Sequence, residues 1–288
     1  MKGIQGFRNS CYLDATLYAM FVQSTAFDKS VSVLISCFLC SMMSLFVPIK
    51  WFHFVRADHV YKLRQLLEQL LPEMPGLTSD EKDPEEVLIA LFDKVLKVEP
   101  FLLLRDVTEG TIDPVYICPL ITEDLWSGEQ RRLITVQSIV ERSLFASNVQ
   151  FAKDPKILIL QLPRYGQQKV FDKIIPQQEL DITHLVFDSK RPCTMCGKAA
   201  DLICPECFLT KEVLLGEMNS SLSRRSQAIA QRKLQLMAVL CIEMSHYVTF
   251  VRAINANKWL MFDSMADRVG LSDGYNVPEV SVTLHLYI

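Results

Sequence analysis

The sequence predicts an α+β fold, on three observations. Apolar residues recur at helical spacing up to about residue 105. From Thr111 onward the apolar runs become short, rich in β-branched residues and punctuated by Pro and Gly, as strands are. Two close pairs of cysteines then interrupt the second half without continuing either pattern. With 288 residues, 50% hydrophobic and 22% charged, the chain can bury a large core, in one large domain or two small ones. Its net charge of −3 offers no basic surplus for nucleic acid and suits a cationic substrate segment better than a phosphate. Nine cysteines, an odd number, and an opening "MKGIQGFRNS" without the layout of a secretory leader indicate a reducing compartment, hence a cytoplasmic location.

The first element is a helix headed by "NSCYLDATLYAMF": Asn9 or Ser10 is placed to cap it, and Leu13, Leu17, Met20 and Phe21 form its core face. Residues 30–49 follow, twenty positions without a charge, long enough to span a bilayer as a helix. Their serines and β-branched residues, Pro48 and the absence of a dense basic flank weigh against a membrane, leaving a buried core segment or a locally aberrant one. Cys37 and Cys40 within the run have no second ligand pair nearby and read as small core hydrophobes. Val60–Leu71 is a second helix, stopped by Pro72. Asp83 and Pro84 open a third, with acids in its first turn and Val87, Leu88, Leu91, Phe92 and Val95 as its stripe. Strands are expected in "PVYICPLI", "NVQFAK", "KILILQLPRYG" and "KVFDKII", with a helix over 134–146 among them, and later in "LQLMAVLCIE", "HYVTFVRAI" and "KWLMFDSM".

Cys11 at a helix start has the position in which peptide dipoles ionise a thiol, if an imidazole arrives as base. Of five histidines, His246 differs from His53, His59, His184 and His285: it begins a strand, and the next strand delivers Asp263 and Ser264. Two antiparallel neighbours can place a histidine beside an acid that fixes its tautomer, as a Cys/His/Asp triad requires.

"GIQGFRNSCYLDATLYAMF" resembles the cysteine box of the ubiquitin-specific proteases, and "LMAVLCIEMSHYVTFVRAINANKWLMFDSMADRVG" their histidine box. "KDPEEVLIALF" and "KILILQLPRYG" match intermediate blocks in the same order. The resemblance implies a papain-like fold: a helical thumb over 1–105, palm and reduced fingers over 106–190 and 233–288, and a Cys-rich insert over 191–232. It implies thiol-dependent hydrolysis of the isopeptide or peptide bond after the C-terminal glycine of ubiquitin, without a catalytic cofactor, so that ubiquitin and polyubiquitin chains, and ubiquitinated signalling proteins, are the expected partners. Cys11 then attacks, His246 carries the proton, Asp263 orients His246 and Ser264 assists. Gly6 stands where the family has an oxyanion asparagine, so the Cys11 main-chain N–H, with Asn9 as a second donor, would hold the developing charge. Asp83 and Glu86 fall where the family receives the arginines of the ubiquitin tail; acids complementing a helix dipole are the plainer reading of the same residues. The most similar branch of the family implies lysine-63-linked and linear chains as substrates and a restraining role in NF-κB signalling.

Cys193, Cys196, Cys204 and Cys207 form a C-x2-C-x7-C-x2-C array suited to one structural zinc. The related branch carries a two-zinc B-box here, but "FLTKEVLLGEMNSSLSRRSQAIAQRK" supplies no later Cys or His, so the four thiolates close on one ion or the remnant is metal-free. Because the family continues past "VSVTLHLYI", a shortened palm and a truncated or spliced relative are expected. The alternative to an enzyme is a catalytically silent ubiquitin-binding regulatory fragment. A third reading is a membrane anchor at 30–49.

Overall fold

The computed structural model describes residues 3–28, 54–121, 133–165, 168–169, 171–187, 189, 191–192, 199–200, 231–243, 245–253, 258–265 and 279–280. Two compact units emerge: Met1–Glu99 with Leu236–Ile288, and Pro100–Gln235.

In the first unit, helix α1 (Cys11–Phe21) is apolar on nearly all sides, and so only Ala19 escapes full burial. A helix of that kind must be packed all round. Tyr18 stacks on Phe262 at 4.1 Å with planes 5° apart, Phe21 meets Phe27 edge-on, and Phe27 stacks on Phe92. The expected core face, Leu13, Leu17, Met20 and Phe21, is buried. Helix α2 (Ala57–Leu70) turns Val60, Leu63 and Leu67 inward, together with one cation, Arg64. Helix α3 (Pro84–Ala90) starts at Asp83, whose carboxylate accepts the Glu85 N–H at 2.8 Å, with Pro84 at the first position, where its missing N–H costs nothing. It runs into a widened π-turn, Leu91–Val95, closed by the Leu96 N–H on the Leu91 carbonyl.

The same unit holds an antiparallel sheet with Ala238–Glu243, His246–Arg252, Trp259–Asp263 and Glu279–Val280 in sequential order. Glu243 pairs with His246 across a tight turn in which Ser245 adopts φ 64°, and Val248 pairs with Asp263. The stretch expected as one strand over 234–243 is two, Lys233–Gln235 and Ala238–Glu243, and the two pair with different strands. Apolar alternation marks extended chain but carries no record of which strand will supply the hydrogen bonds.

The second unit has an antiparallel sheet ordered Ile112–Val115, Leu102–Asp106, Val149–Phe151. Pro114 is tolerated because its strand lies at the edge. Helix α4 (Val136–Ala146) is capped by the Thr135 hydroxyl, which accepts the Ser138 N–H. Around these lie short ladders, two of them parallel, Cys118–Pro119 on Leu160–Gln161 and Ile134–Thr135 on Ile174–Ile175. "KILILQLPRYG" thus forms two-residue strands where a longer one is expected.

Candidate active site

The first unit brings Cys11, His246 and Asp263 to one place, and local sequence explains each position. Cys11 is the first residue of α1. Its sulfur lies 3.9 Å from the Ser245 carbonyl oxygen, immediately before His246, and the Tyr247 main-chain N–H, immediately after, is near enough to lower its pKa. His246 begins its strand, so its ring projects where the hairpin turns. Asp263 ends the adjacent strand, and its Oδ1 takes the His246 Nε2 at 2.7 Å and the Met265 N–H at 2.8 Å. Pairing through Nε2 leaves His246 Nδ1 as the basic nitrogen. That atom is buried and has no hydrogen-bond partner among the described residues.

The thiol departs from expectation. Its pKa is raised, foremost by burial, with the Tyr247 and Tyr12 N–H groups pulling it down and the Asp14 and Glu81 carboxylates pushing it up. Helix-dipole ionisation loses to desolvation and to two nearby negative charges. The cap differs too: Ser10 occupies the position before α1 but makes no capping bond. Its hydroxyl accepts the Phe7 N–H at 2.8 Å and donates to Asp14 Oδ2 at 2.6 Å, both within this unit.

Asn9 has φ 52° and gives its side-chain N–H to the Ser79 carbonyl at 3.0 Å, so that amide ties two loops together. Ser264 is buried against Gly6: a Cβ on Gly6 would stand 3.1 Å from the Ser264 carbonyl oxygen and 3.2 Å from both Ser264 Oγ and Asp14 Oδ2. A side-chain donor at position 6 would have to displace them. Asp83 and Glu86 are exposed, with half-buried Glu85 between them, whose pKa is raised by burial and then by these two neighbours. Glu81, Asp83, Glu85 and Glu86 thereby form an acidic strip interrupted by Lys82, and the charge of Glu81 is felt at the thiol.

Sequence reading passed over three contributors. Asp14 and Glu81 act on the sulfur, and Arg64, wholly buried, binds main-chain carbonyls of the turn preceding it. Arg64 had a signal: it interrupts the apolar stripe Val60, Leu63, Leu67, a place for a side chain facing inward. Cys193, Cys196, Cys204 and Cys207, and the run 30–49, lie outside the described residues. Among the described residues no group of three His, Cys, Asp or Glu could hold a metal, and no helix is long and apolar enough to cross a membrane.

The family model for ubiquitin carboxyl-terminal hydrolases matches residues 2–269. The chain belongs to that family. The ubiquitin carboxyl-terminal hydrolase CYLD of rat is 36% identical over 97% of this chain, and that of human 35% over the same share. The chain spans about a third of the length of these relatives, 33% in each case. Among solved structures, the SAGA deubiquitinating module Ubp8/Sgf11/Sus1/Sgf73 bound to monoubiquitin superposes with a TM-score of 0.60 at 12% identity, covering 98% of this chain and 65% of that one. The same module bound to ubiquitin aldehyde gives 0.57 at 14% identity, with 98% and 66% covered. The fold is therefore the papain-like, mixed α/β fold of these domains.

Proposed function

We propose that the chain is a cysteine-type deubiquitinase that hydrolyses the bond after the C-terminal glycine of ubiquitin. The observation that carries the reading is the 2.7 Å pairing of His246 Nε2 with Asp263, with the Cys11 sulfur 3.9 Å from the carbonyl of Ser245, the residue before His246. His246 Nδ1 takes the thiol proton as Cys11 Sγ bonds to the glycine carbonyl carbon, whose oxygen becomes an oxyanion. Collapse breaks the C–N bond, and the departing lysine amine takes the proton from Nδ1. Water, deprotonated at the same nitrogen, then splits the thioester and restores the Cys11 thiol. Asp263 keeps the second ring N–H in place and stabilises the imidazolium, and Ser264 backs the segment that carries it. The oxyanion is assigned to the Cys11 main-chain N–H; Asn9, through its bond to Ser79, contributes by holding the loop. Asp83 and Glu86, on the acidic strip, receive the basic tail of ubiquitin.

Similarity to the CYLD hydrolases supports a finer reading: lysine-63-linked and linear chains as substrates, ubiquitinated signalling proteins as partners, restraint of NF-κB signalling and a cytoplasmic location. By the same resemblance the helical thumb is 1–105 and the palm and fingers are 106–190 and 233–288, a division by family role that cuts across the two compact units, and the insert 191–232 carries one structural zinc on Cys193, Cys196, Cys204 and Cys207. Four thiolates suit that ion, which would brace the insert without entering the chemistry.

A mechanism-based ubiquitin probe with a C-terminal electrophile should label the wild type and not Cys11→Ala. Asp263→Ala should retain ubiquitin binding and lose on the order of 10⁴-fold in kcat, because nothing then holds His246 in the tautomer that leaves Nδ1 basic. The burial of Cys11 favours one competing reading, a catalytically silent ubiquitin-binding fragment. Ubiquitin binding without labelling would establish that one instead.

A further inference from the structure

Arg64 is the largest wholly buried side chain of the described residues. Its guanidinium meets four main-chain carbonyls: Phe7 at 2.7 Å and Arg8 on one side, Leu77 and, at 3.4 Å, Asp80 on the other. Its carbon Cζ also lies 5.9 Å from the centre of the Tyr12 ring. A planar fork of five N–H donors on three nitrogens can gather these four carbonyls from two segments; a lysine ammonium, with three donors on one atom, cannot reach them all.

The segment so gripped is the turn that delivers Cys11. Arg8 and Asn9 adopt φ 42° and 52° in succession, left-handed conformations that cost energy in residues with a side chain and persist only where the surroundings enforce them. The grip sets where the Cys11 main-chain N–H points. Cys11 opens α1, and the Leu13 and Asp14 N–H groups turn back to the Ser10 carbonyl. The Cys11 N–H is thus among the first-turn amides left without an intrahelical acceptor. Position 6 cannot contribute a side-chain donor, since Ser264 and Asp14 crowd its Cβ direction.

We infer that Arg64 is a positioning residue for the hydrolysis proposed above: by fixing the Phe7–Ser10 turn it aims the Cys11 N–H at the carbonyl oxygen of the substrate. The inference rests on that activity. Its role concerns the oxyanion, not the thiol, and this separates it from a merely structural one.

The experiment compares wild type with Arg64→Lys on a ubiquitin substrate, with active sites counted and folding followed by circular dichroism. Iodoacetamide alkylation of Cys11 serves as a reaction that forms no oxyanion. The expected result for Arg64→Lys is a kcat lowered about 100-fold per folded site, with KM and the alkylation rate within about twofold of wild type. An unchanged kcat per folded site overturns the inference, and so does a kcat that falls in step with alkylation. Should Arg64→Lys not fold, Arg64→Ala with guanidinium ion decides. Saturable recovery of kcat by guanidinium but not by methylammonium supports the assignment, whereas recovery of fold and alkylation without kcat, or no recovery at all, overturns it. A wild type that binds ubiquitin and does not cleave it ends the activity reading, and the inference with it.

Discussion

Cys11 is a neutral thiol at rest, because burial and the Asp14 and Glu81 carboxylates outweigh the amides directed at it. In the proposed reaction the proton therefore leaves during attack rather than from a standing ion pair. The pH dependence follows from the sign of the shift. A pKa above its ordinary value of 9.0 leaves the thiolate scarce at neutrality. Alkylation of Cys11 by iodoacetamide, followed by mass spectrometry of its peptide, should keep rising above pH 9 with no plateau near 7. Asp14→Asn, which retains an acceptor for Ser10, should move that rise to lower pH; a plateau at neutrality in the wild type would contradict the assignment. The residue types of the candidate triad were legible in the sequence, since Cys11 heads an apolar helical run and His246 and Asp263 fall on successive strands. The thiol's protonation was not, because it depends on groups such as Glu81 that only folding brings close.

Among the elements, α3 joins stability and charge in one residue. Asp83 caps the helix and belongs to the acidic strip, and two substitutions separate the roles. Asp83→Ala should cost about 1 kcal/mol in unfolding free energy and also raise KM for ubiquitin substrates. Asp83→Asn should keep most of the stability and still raise KM; an unchanged KM in both variants would restrict Asp83 to capping. At the other end of the site, Tyr18 on Phe262 holds α1 against the strand that ends in Asp263. Phe262→Ala should lose ~3–5 kcal/mol in urea unfolding, and kcat should fall even in the folded fraction. The helices α1, α2 and α3 were readable from spacing, cap and proline. Short strands such as Leu160–Gln161 were not, because two-residue ladders are defined by their partners rather than by any periodicity of their own.

Across the whole molecule, the zinc proposal and the hydrolase proposal are separable. Metal analysis of purified chain should find about one zinc, lost in the double substitution Cys193→Ala and Cys204→Ala, while probe labelling of Cys11 persists. Stoichiometric zinc in that variant would refute the ligand assignment alone. Family and α+β class were determined by the sequence itself, and so was the choice of candidate triad residues, because cap, period and ordered motif are local and survive without coordinates. Three things were decided only by tertiary structure: the tautomer of His246, the neutral state of Cys11, and the attachment of Arg64 to the turn before it. Each depends on distances between segments remote in the chain, and electrostatics and hydrogen bonding change steeply over those few ångströms.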